Sequence, residues 1–189
     1  MAYHPRDDSY LLAEEVRKDA KGKCVLDMGS GSGIQALTAL DAGAKSVLAV
    51  DIDFKAMEYS GKRRLNFIKS DLFSNVRGKF DLIIFNPPYL PFDSREDIES
   101  RLHTSGGKRG DEVIIRFLKE VAGFLNKRGI ILIVISSLTP KDKIGRILNE
   151  KRLEREIVSE KRFFMEKLEV WKIRPVLKSM FRIPYLDAL

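Results

Sequence analysis

The sequence predicts an α/β fold: a mostly parallel, seven-stranded sheet with helices on both faces and a C-terminal antiparallel hairpin. Three observations carry that prediction. Short apolar runs alternate with amphipathic segments, the sequence form of a parallel sheet with right-handed crossovers. A glycine-rich turn follows the first apolar run. After Pro140 the pattern changes, and two charged, alternating segments lie close enough together to form a hairpin on one sheet edge.

The elements follow in order. Residues 24–27 read as a buried strand, and 34–42 as the helix after the glycine turn. A second strand at 46–50 precedes a helix at 54–64 and a short third strand at 65–69. The apolar run at 80–85 has the character of a strand buried on both faces. Apolar residues at helical spacing predict a helix over 112–125, followed by a fifth strand at 129–136. Residues 141–151 read as the last helix, and 155–163 and 167–173 as the two hairpin strands. Residues 1–174 thus form one domain. The stretch 175–189 has no clear period and is expected to be a tail, packed on the domain or partly mobile.

Composition narrows the function classes. A chain of 189 residues supports one sizeable core but not two. The longest uncharged apolar run, 129–138, is about half of what a membrane span requires. The first ten residues are polar and acidic, unlike a secretory signal. One cysteine, Cys24, supplies neither an internal disulfide nor a structural zinc site. A cytoplasmic location, with no membrane association and no metal centre, is the simple expectation. The net charge of +7 and pI near 9.5 permit a nucleic-acid partner. They do not favour one, because lysines and arginines alternate with acids, as over 141–162, in the manner of a solvated face.

The chemistry concentrates after the first and fourth strands. Gly29, Gly31 and Gly33 alternate in Met-Gly-Ser-Gly-Ser-Gly, where the backbone can turn tightly and approach a ligand. The helix that follows directs free amides at the same place. Asp51 ends the second strand, twenty residues after Gly31, where a carboxylate can accept both ribose hydroxyls of a nucleoside. That feature suits a dinucleotide equally well. Asp27 and Asp71 favour S-adenosylmethionine instead: Asp27 would neutralise a cationic amino-acid moiety but repel a pyrophosphate, and Asp71 could accept from an adenine amino group. Each Asp alone could be a cap or turn residue.

Asn86-Pro87-Pro88-Tyr89 ends the fourth strand. As plain structure, Asn-Pro begins a turn and two prolines stop a strand. The composition also suits presentation of a planar nitrogen. The prolines stiffen the backbone so that a carbonyl is held without a competing amide donor, and the Asn86 side-chain oxygen is a second acceptor. Together they can hold both hydrogens of an NH2 group, with Tyr89 offering a face for a flat substrate.

The glycine loop paired with this tetrapeptide resembles the class I methyltransferases that act on exocyclic or amide nitrogens. These include adenine and guanine N-methyltransferases and the HemK family of protein-glutamine methyltransferases. Pro5-Arg6-Asp7-Asp8-Ser9-Tyr10-Leu11-Leu12 is similar to the Pro-x-Glu-Asp-Ser/Thr-x-Leu-Leu opening of the archaeal and eukaryotic HemK branch. Gly106-Gly107-Lys108-Arg109-Gly110-Asp111-Glu112-Val113, with Arg116-Phe117, is similar to that branch's segment after Asn-Pro-Pro-Tyr. The resemblance implies a Rossmann-like methyltransferase fold with S-adenosylmethionine as cofactor. It implies that Ser9, Asp27, Gly29, Asp51, Asp71, Leu72 and Asn86 line the cofactor site, and that Asn86 and the Pro87 carbonyl orient the target amide. The implied substrate is the glutamine of the Gly-Gly-Gln motif of a translation release factor. A small zinc-binding activator subunit is the implied partner. Three departures stand out: Asp7 replaces the family's usual Glu, the interval from Asp51 to Asp71 is short, and only about twenty residues precede the first strand. The N-terminal domain with which bacterial HemK enzymes grip release factors is therefore not expected.

Two other functions use the same residues. A nucleic-acid N-methyltransferase acting on adenine or guanine needs the same tetrapeptide, and a non-enzymatic scaffold could retain the fold. The remaining notable residues have ordinary readings. His4 and His103 are surface or packing residues, Trp171 packs in an edge-strand pattern, and 163–165 is core or hairpin packing. Lys178 and Arg182 belong to the basic tail.

Overall fold

The computed structural model describes residues 5–53, 65–92 and 104–176. Seven strands form one sheet: β1 (Cys24–Met28), β2 (Ser46–Asp51), β3 (Asn66–Lys69), β4 (Phe80–Phe85), β5 (Leu125–Ser136), β6 (Leu153–Arg162) and β7 (Lys167–Pro175). Their order is β3-β2-β1-β4-β5-β7-β6. The first five run parallel, and β7 is antiparallel to both of its neighbours. The fold is the mixed sheet with a closing hairpin that the alternating pattern predicts.

Strand alternation divides the core in two. On one face Leu26, Met28, Ile83, Phe85, Ile131 and Ile133 pack beneath helices α3 (Glu112–Glu120) and α4 (Asp142–Glu150), with Ile114, Phe117 and Leu118 supplied by α3. On the other face Val25, Leu82, Ile84, Leu132 and Val134 meet α1 (Asp7–Asp19) and α2 (Ile34–Asp41) through Leu12, Val16, Ala36 and Ala39. Full burial of each large apolar side chain contributes about 1.5–3 kcal/mol. At the amino ends of the strands Asp81 ties three of them together. Its carboxylate accepts the Cys24 N–H at 3.0 Å and the Asn126 side-chain amide at 2.6 Å.

Several expectations are corrected. The helix over 112–125 ends at Glu120 and passes through a single 3-10 turn, Val121–Gly123. Strand β5 begins at Leu125 rather than 129 because Leu125 already pairs with Phe80; register then shifts before Leu82 pairs with Ile130. Helix α1 has no counterpart among the predicted elements. Its buried face carries Asp8, Ser9 and Glu15 among the apolar residues, which blurs the helical period. β7 is an internal strand and β6 the edge, so Trp171 is not an edge residue. It is buried, with the Arg155 guanidinium 4.0 Å from its ring centre. The 163–165 cluster is not core: the Phe163 N–H bonds to the Glu166 carbonyl at 2.7 Å, and this turn leaves Phe164 and Met165 in solvent. The tail expected from residue 175 begins inside β7. From residue 177 on, with Lys178 and Arg182, it lies outside the described residues, as do the 54–64 helix, His4 and His103. Among the described residues no helix is long and apolar enough to cross a membrane.

Glu169 ties β7 to the residue that precedes α4. Its buried carboxylate accepts from Lys167 at 2.6 Å, Trp171 Nε1 at 2.8 Å and Lys141 at 3.1 Å. Burial alone would push the carboxyl up, but these hydrogen bonds outweigh it and bring it down to about 2. A depressed carboxyl stabilises the fold above its unfolded value and loses that contribution as pH falls through the folded one. Glu169→Gln is therefore expected to cost about 1–3 kcal/mol near neutral pH in denaturant unfolding. The gap between wild type and variant should close as the pH falls from the usual glutamate value towards about 2.

Candidate active site

Strand register assembles the site. Met28 pairs with both Val50 and Phe85 at the carboxyl ends of β1, β2 and β4. The residues that follow them, Gly29, Asp51 and Asn86, consequently emerge together. The sheet order reverses between β1 and β4, the position at which a crevice opens above a parallel sheet. Among the described residues that crevice is a cavity of about 1130 Å³. Of the residues singled out in the sequence, Ser9, Gly29, Gly31, Asp51, Asp71, Leu72, Asn86, Pro87, Pro88 and Tyr89 line it. Asp27 and Gly33 do not.

The glycine loop is pinned from two sides. The Gly31 N–H donates to Asp51 Oδ2 at 2.8 Å, while Asp51 Oδ1 accepts from the Asp53 N–H at 2.9 Å. Gly31 has a φ of 50°, a conformation that side chains resist. Beneath the loop lies Asp27, almost fully buried, accepting the Ala36 N–H at 3.0 Å. It ties the first turn of α2 to β1 from below the cavity wall. Burial, helped by repulsion from Asp51, pushes its carboxyl up to about 8 against the lowering effect of the Ala36 bond.

The far wall is built after β3. Ser70 Oγ donates to the Leu72 carbonyl at 2.8 Å and accepts the Asn75 N–H at 2.9 Å. This turn holds Leu72, buried, at a φ of 46°. Asp71 stands half-exposed at the cavity and pairs with Arg116 of α3 at 2.8 Å, a partner that spacing alone did not predict.

The Asn86–Tyr89 segment is fixed by the chain that returns to it. Leu90 and Ser105 form a parallel bridge, with hydrogen bonds of 2.9 Å from Leu90 N–H to the Thr104 carbonyl and from Gly106 N–H to the Leu90 carbonyl. A Cβ at Gly106 would lie 2.6 Å from the Pro88 carbonyl oxygen and 2.5 Å from that of Gly110. Both obstacles are backbone, so only glycine lets the two segments approach this closely.

Asn86 Nδ2 has two acceptors on α1: the hydroxyl of Ser9, a residue singled out in the sequence, at 3.5 Å, and Asp8, which was not singled out as a site residue. Asp8 in the first turn of α1 is 5% exposed, and its Oδ2 lies 3.2 Å from Asn86 Nδ2 and 3.5 Å from the Tyr89 hydroxyl. Asn86 Oδ1 is left buried without a hydrogen-bond partner. Gln35 repeats the arrangement: its Nε2 donates to the Ser9 carbonyl at 2.8 Å, and its Oε1 is buried without a partner. Asp8 was legible only as part of the Pro5–Leu12 match. Nothing local marked Gln35, because its partner lies 26 residues away.

The Asp27 carboxyl gives a pH test. A group whose carboxyl is raised on folding stabilises below its unfolded value and loses that contribution as pH rises through the folded one. Asp27→Asn keeps an acceptor for Ala36 but cannot ionise. Its melting temperature should gain on the wild type progressively as pH rises from about 4 to about 8. Parallel curves for the two proteins over that range would show that Asp27 does not titrate there.

The chain's relatives agree with this architecture. The methyltransferase small domain family matches residues 6–165. A Methanocaldococcus jannaschii protein named as a protein N5-glutamine methyltransferase is 40% identical over 154 residues, 77% of this chain and 78% of that one. The methyltransferase HEMK2 of Homo sapiens is 27% identical over 90% of this chain and 88% of its own. The E. cuniculi Mtq2–Trm112 complex, described as responsible for methylation of the eRF1 translation termination factor, has a chain that superimposes with a TM-score of 0.76. That match covers 93% of this chain and 99% of that one at 24% identity, and so speaks for the fold. Sequence and architecture together make this chain a member of the methyltransferase small domain family, within its HemK-type branch of protein-glutamine methyltransferases.

Proposed function

We propose that this chain transfers a methyl group from S-adenosylmethionine to the side-chain amide nitrogen of a glutamine, in the Gly-Gly-Gln motif of a translation release factor. The observation that carries the reading is the buried, unpartnered Asn86 Oδ1 at the cavity. An oxygen desolvated without a partner costs about 1–3 kcal/mol, and an incoming N–H recovers it. The cavity also exceeds the span of a single small ligand, leaving room for a cofactor and a substrate side chain together.

The residues fit the cofactor. The glycine loop leaves backbone exposed to the cavity, Asp51 keeps acceptor capacity on both oxygens, and Gln35 Oε1 is an acceptor suited to a cationic amino-acid end. Asp71 remains the acceptor for an adenine amino group, sharing its carboxylate with Arg116. When bound, S-adenosylmethionine supplies an electrophilic methyl carried on a sulfonium.

The chain's own part is to make a poor nucleophile competent. An amide nitrogen is unreactive because its lone pair is delocalised into the carbonyl. Asn86 Oδ1 and the Pro87 carbonyl each accept one hydrogen of the target NH2. That favours a more pyramidal nitrogen, with its lone pair freed as the transition state forms, and holding it in line supplies proximity. No general base is needed before transfer.

The M. jannaschii relative, named for N5-glutamine methylation and matching most of both chains, supports glutamine as the acceptor. The E. cuniculi complex, named for eRF1 methylation with a second protein, supports a release factor and a partner subunit, whose small zinc-binding character rests on the sequence resemblance alone. Among the described residues the edge strands of the sheet are β3 and β6. β6 is lined with exposed charges, a feature that discourages strand pairing, so β3 with half-buried Phe67 and Ile68 is the better candidate. The cytoplasm is the matching location.

Asn86→Ala is expected to bind S-adenosylmethionine nearly as wild type in calorimetry while losing roughly 100-fold or more in turnover. Unchanged turnover would remove Asn86 from the mechanism. Gly106→Ala should reproduce the loss by displacing the Pro88 carbonyl rather than by altering any side chain. Labelled methyl appearing in RNA rather than in a release factor would replace the acceptor proposed above.

A further inference from the structure

We infer that Asp8 is a positioning residue that sets the polarity of the site: its carboxylate fixes which end of the Asn86 amide meets the substrate. The inference rests on the reading of Asn86 as the acceptor for the target NH2. Amide groups are nearly symmetric in shape, so an asparagine can present either an oxygen or an NH2 to a ligand. Which it presents is decided by what holds its other end. Here that end faces the carboxylate of Asp8 at 3.2 Å and the hydroxyl of Ser9 at 3.5 Å, both placed to accept from an NH2.

Asp8 meets the backbone of α1 through one oxygen and Asn86 through the other. Its Oδ1 accepts the Ser9 backbone N–H at 2.7 Å and lies 3.3 Å from the Ser9 hydroxyl. Its Oδ2 takes Asn86 Nδ2 at 3.2 Å and the Tyr89 hydroxyl at 3.5 Å. With Nδ2 held, Oδ1 of Asn86 is the atom left buried and unpartnered. The flipped amide would set its oxygen against Asp8, acceptor to acceptor. The carboxylate itself sits on α1, whose arrival over the end of β4 links positions 78 residues apart.

This predicts an unusual effect from an isosteric change. In Asp8→Asn the one remaining oxygen is required by the Ser9 N–H, which belongs to the helix backbone and cannot turn away. The new NH2 then faces Asn86, whose amide flips to meet it and presents a donor to the substrate's own donor. Asn86→Asp alone brings two carboxylates together and also fails at neutral pH. Combined, the two substitutions restore the pattern. Asn at 8 donates to Asp at 86, and the other carboxylate oxygen of residue 86 again accepts from the substrate.

The test uses the full chain and two readouts. In a 15N-labelled sample the side-chain NH2 of Asn86 should show a nuclear Overhauser contact to Ser9 in the wild type and lose it in Asp8→Asn. This measurement needs no activity, so it stands even if glutamine is not the acceptor. In methyl transfer to a Gly-Gly-Gln release factor, Asp8→Asn should lose roughly 100-fold in turnover with S-adenosylmethionine affinity and melting temperature little changed. The double variant should recover at least tenfold over Asp8→Asn. A contact that persists in Asp8→Asn, or a double variant no better than the worse single one, overturns the inference. A wild type that keeps the contact but methylates no glutamine overturns the functional reading and leaves the amide orientation standing.

Discussion

The parallel pairing of β1 with β4 is the constraint from which the site follows. Strands that are neighbours in space but separated by two others in sequence must be joined by chain that leaves in opposite directions. Their carboxyl ends are therefore left open, and the register from Val25 with Leu82 to Met28 with Phe85 delivers two loops to the same level. One is the glycine loop and the other begins at Asn86. Either loop alone is ordinary turn chemistry. Side by side they put the bare backbone of the glycine loop next to the Asn86 side chain, the pairing on which the proposed function rests.

The rest of the structure supplies the acceptors' surroundings. Asp51 holds the glycine loop, Asp27 holds the first turn of α2 behind it, Gly106 and Gly110 let the returning chain brace the proline segment, and α1 brings Asp8 against Asn86. Buried polar groups are tolerated when fully satisfied and costly when not. Most of those around the cavity are satisfied. Asn86 Oδ1 and Gln35 Oε1 are the ones left open among the described cavity residues, which is how a binding site differs from a well-made core. At the opposite end of the strands the equivalent carboxylate, Asp81, has both oxygens engaged.

The relatives and the geometry answer different questions. Family membership rests on long, well-covered sequence matches and fixes the class of chemistry. The geometry explains how this chain performs it, and why the tetrapeptide is not enough. An Asn-Pro-Pro-Tyr segment whose asparagine could turn freely would present donor and acceptor alike. The carboxylate that we infer prevents this sits 78 residues earlier in the sequence, on the helix that hydropathy did not disclose.

The sequence by itself determined the sheet, the places where chain crosses from strand to helix, and the two segments that carry the chemistry. These are local properties: residues 80–85 are apolar enough to be a strand anywhere, and alternating glycines make a turn in any context. It could not determine the register between distant strands or the partners of buried polar atoms, since these depend on which surfaces meet. Asp27 shows the difference. Its place at the end of the first strand was legible, but its burial beneath the cavity and its bond to Ala36 were decided by α2 folding over it. Asp71 was legible as a strand-end acid, while Arg116 reached it only through the packing of α3. Asp8 is the clearest case. Nothing in its neighbours along the chain assigns it to Asn86, and only the tertiary fold, by docking α1 beside the end of β4, gives that carboxylate an amide to orient.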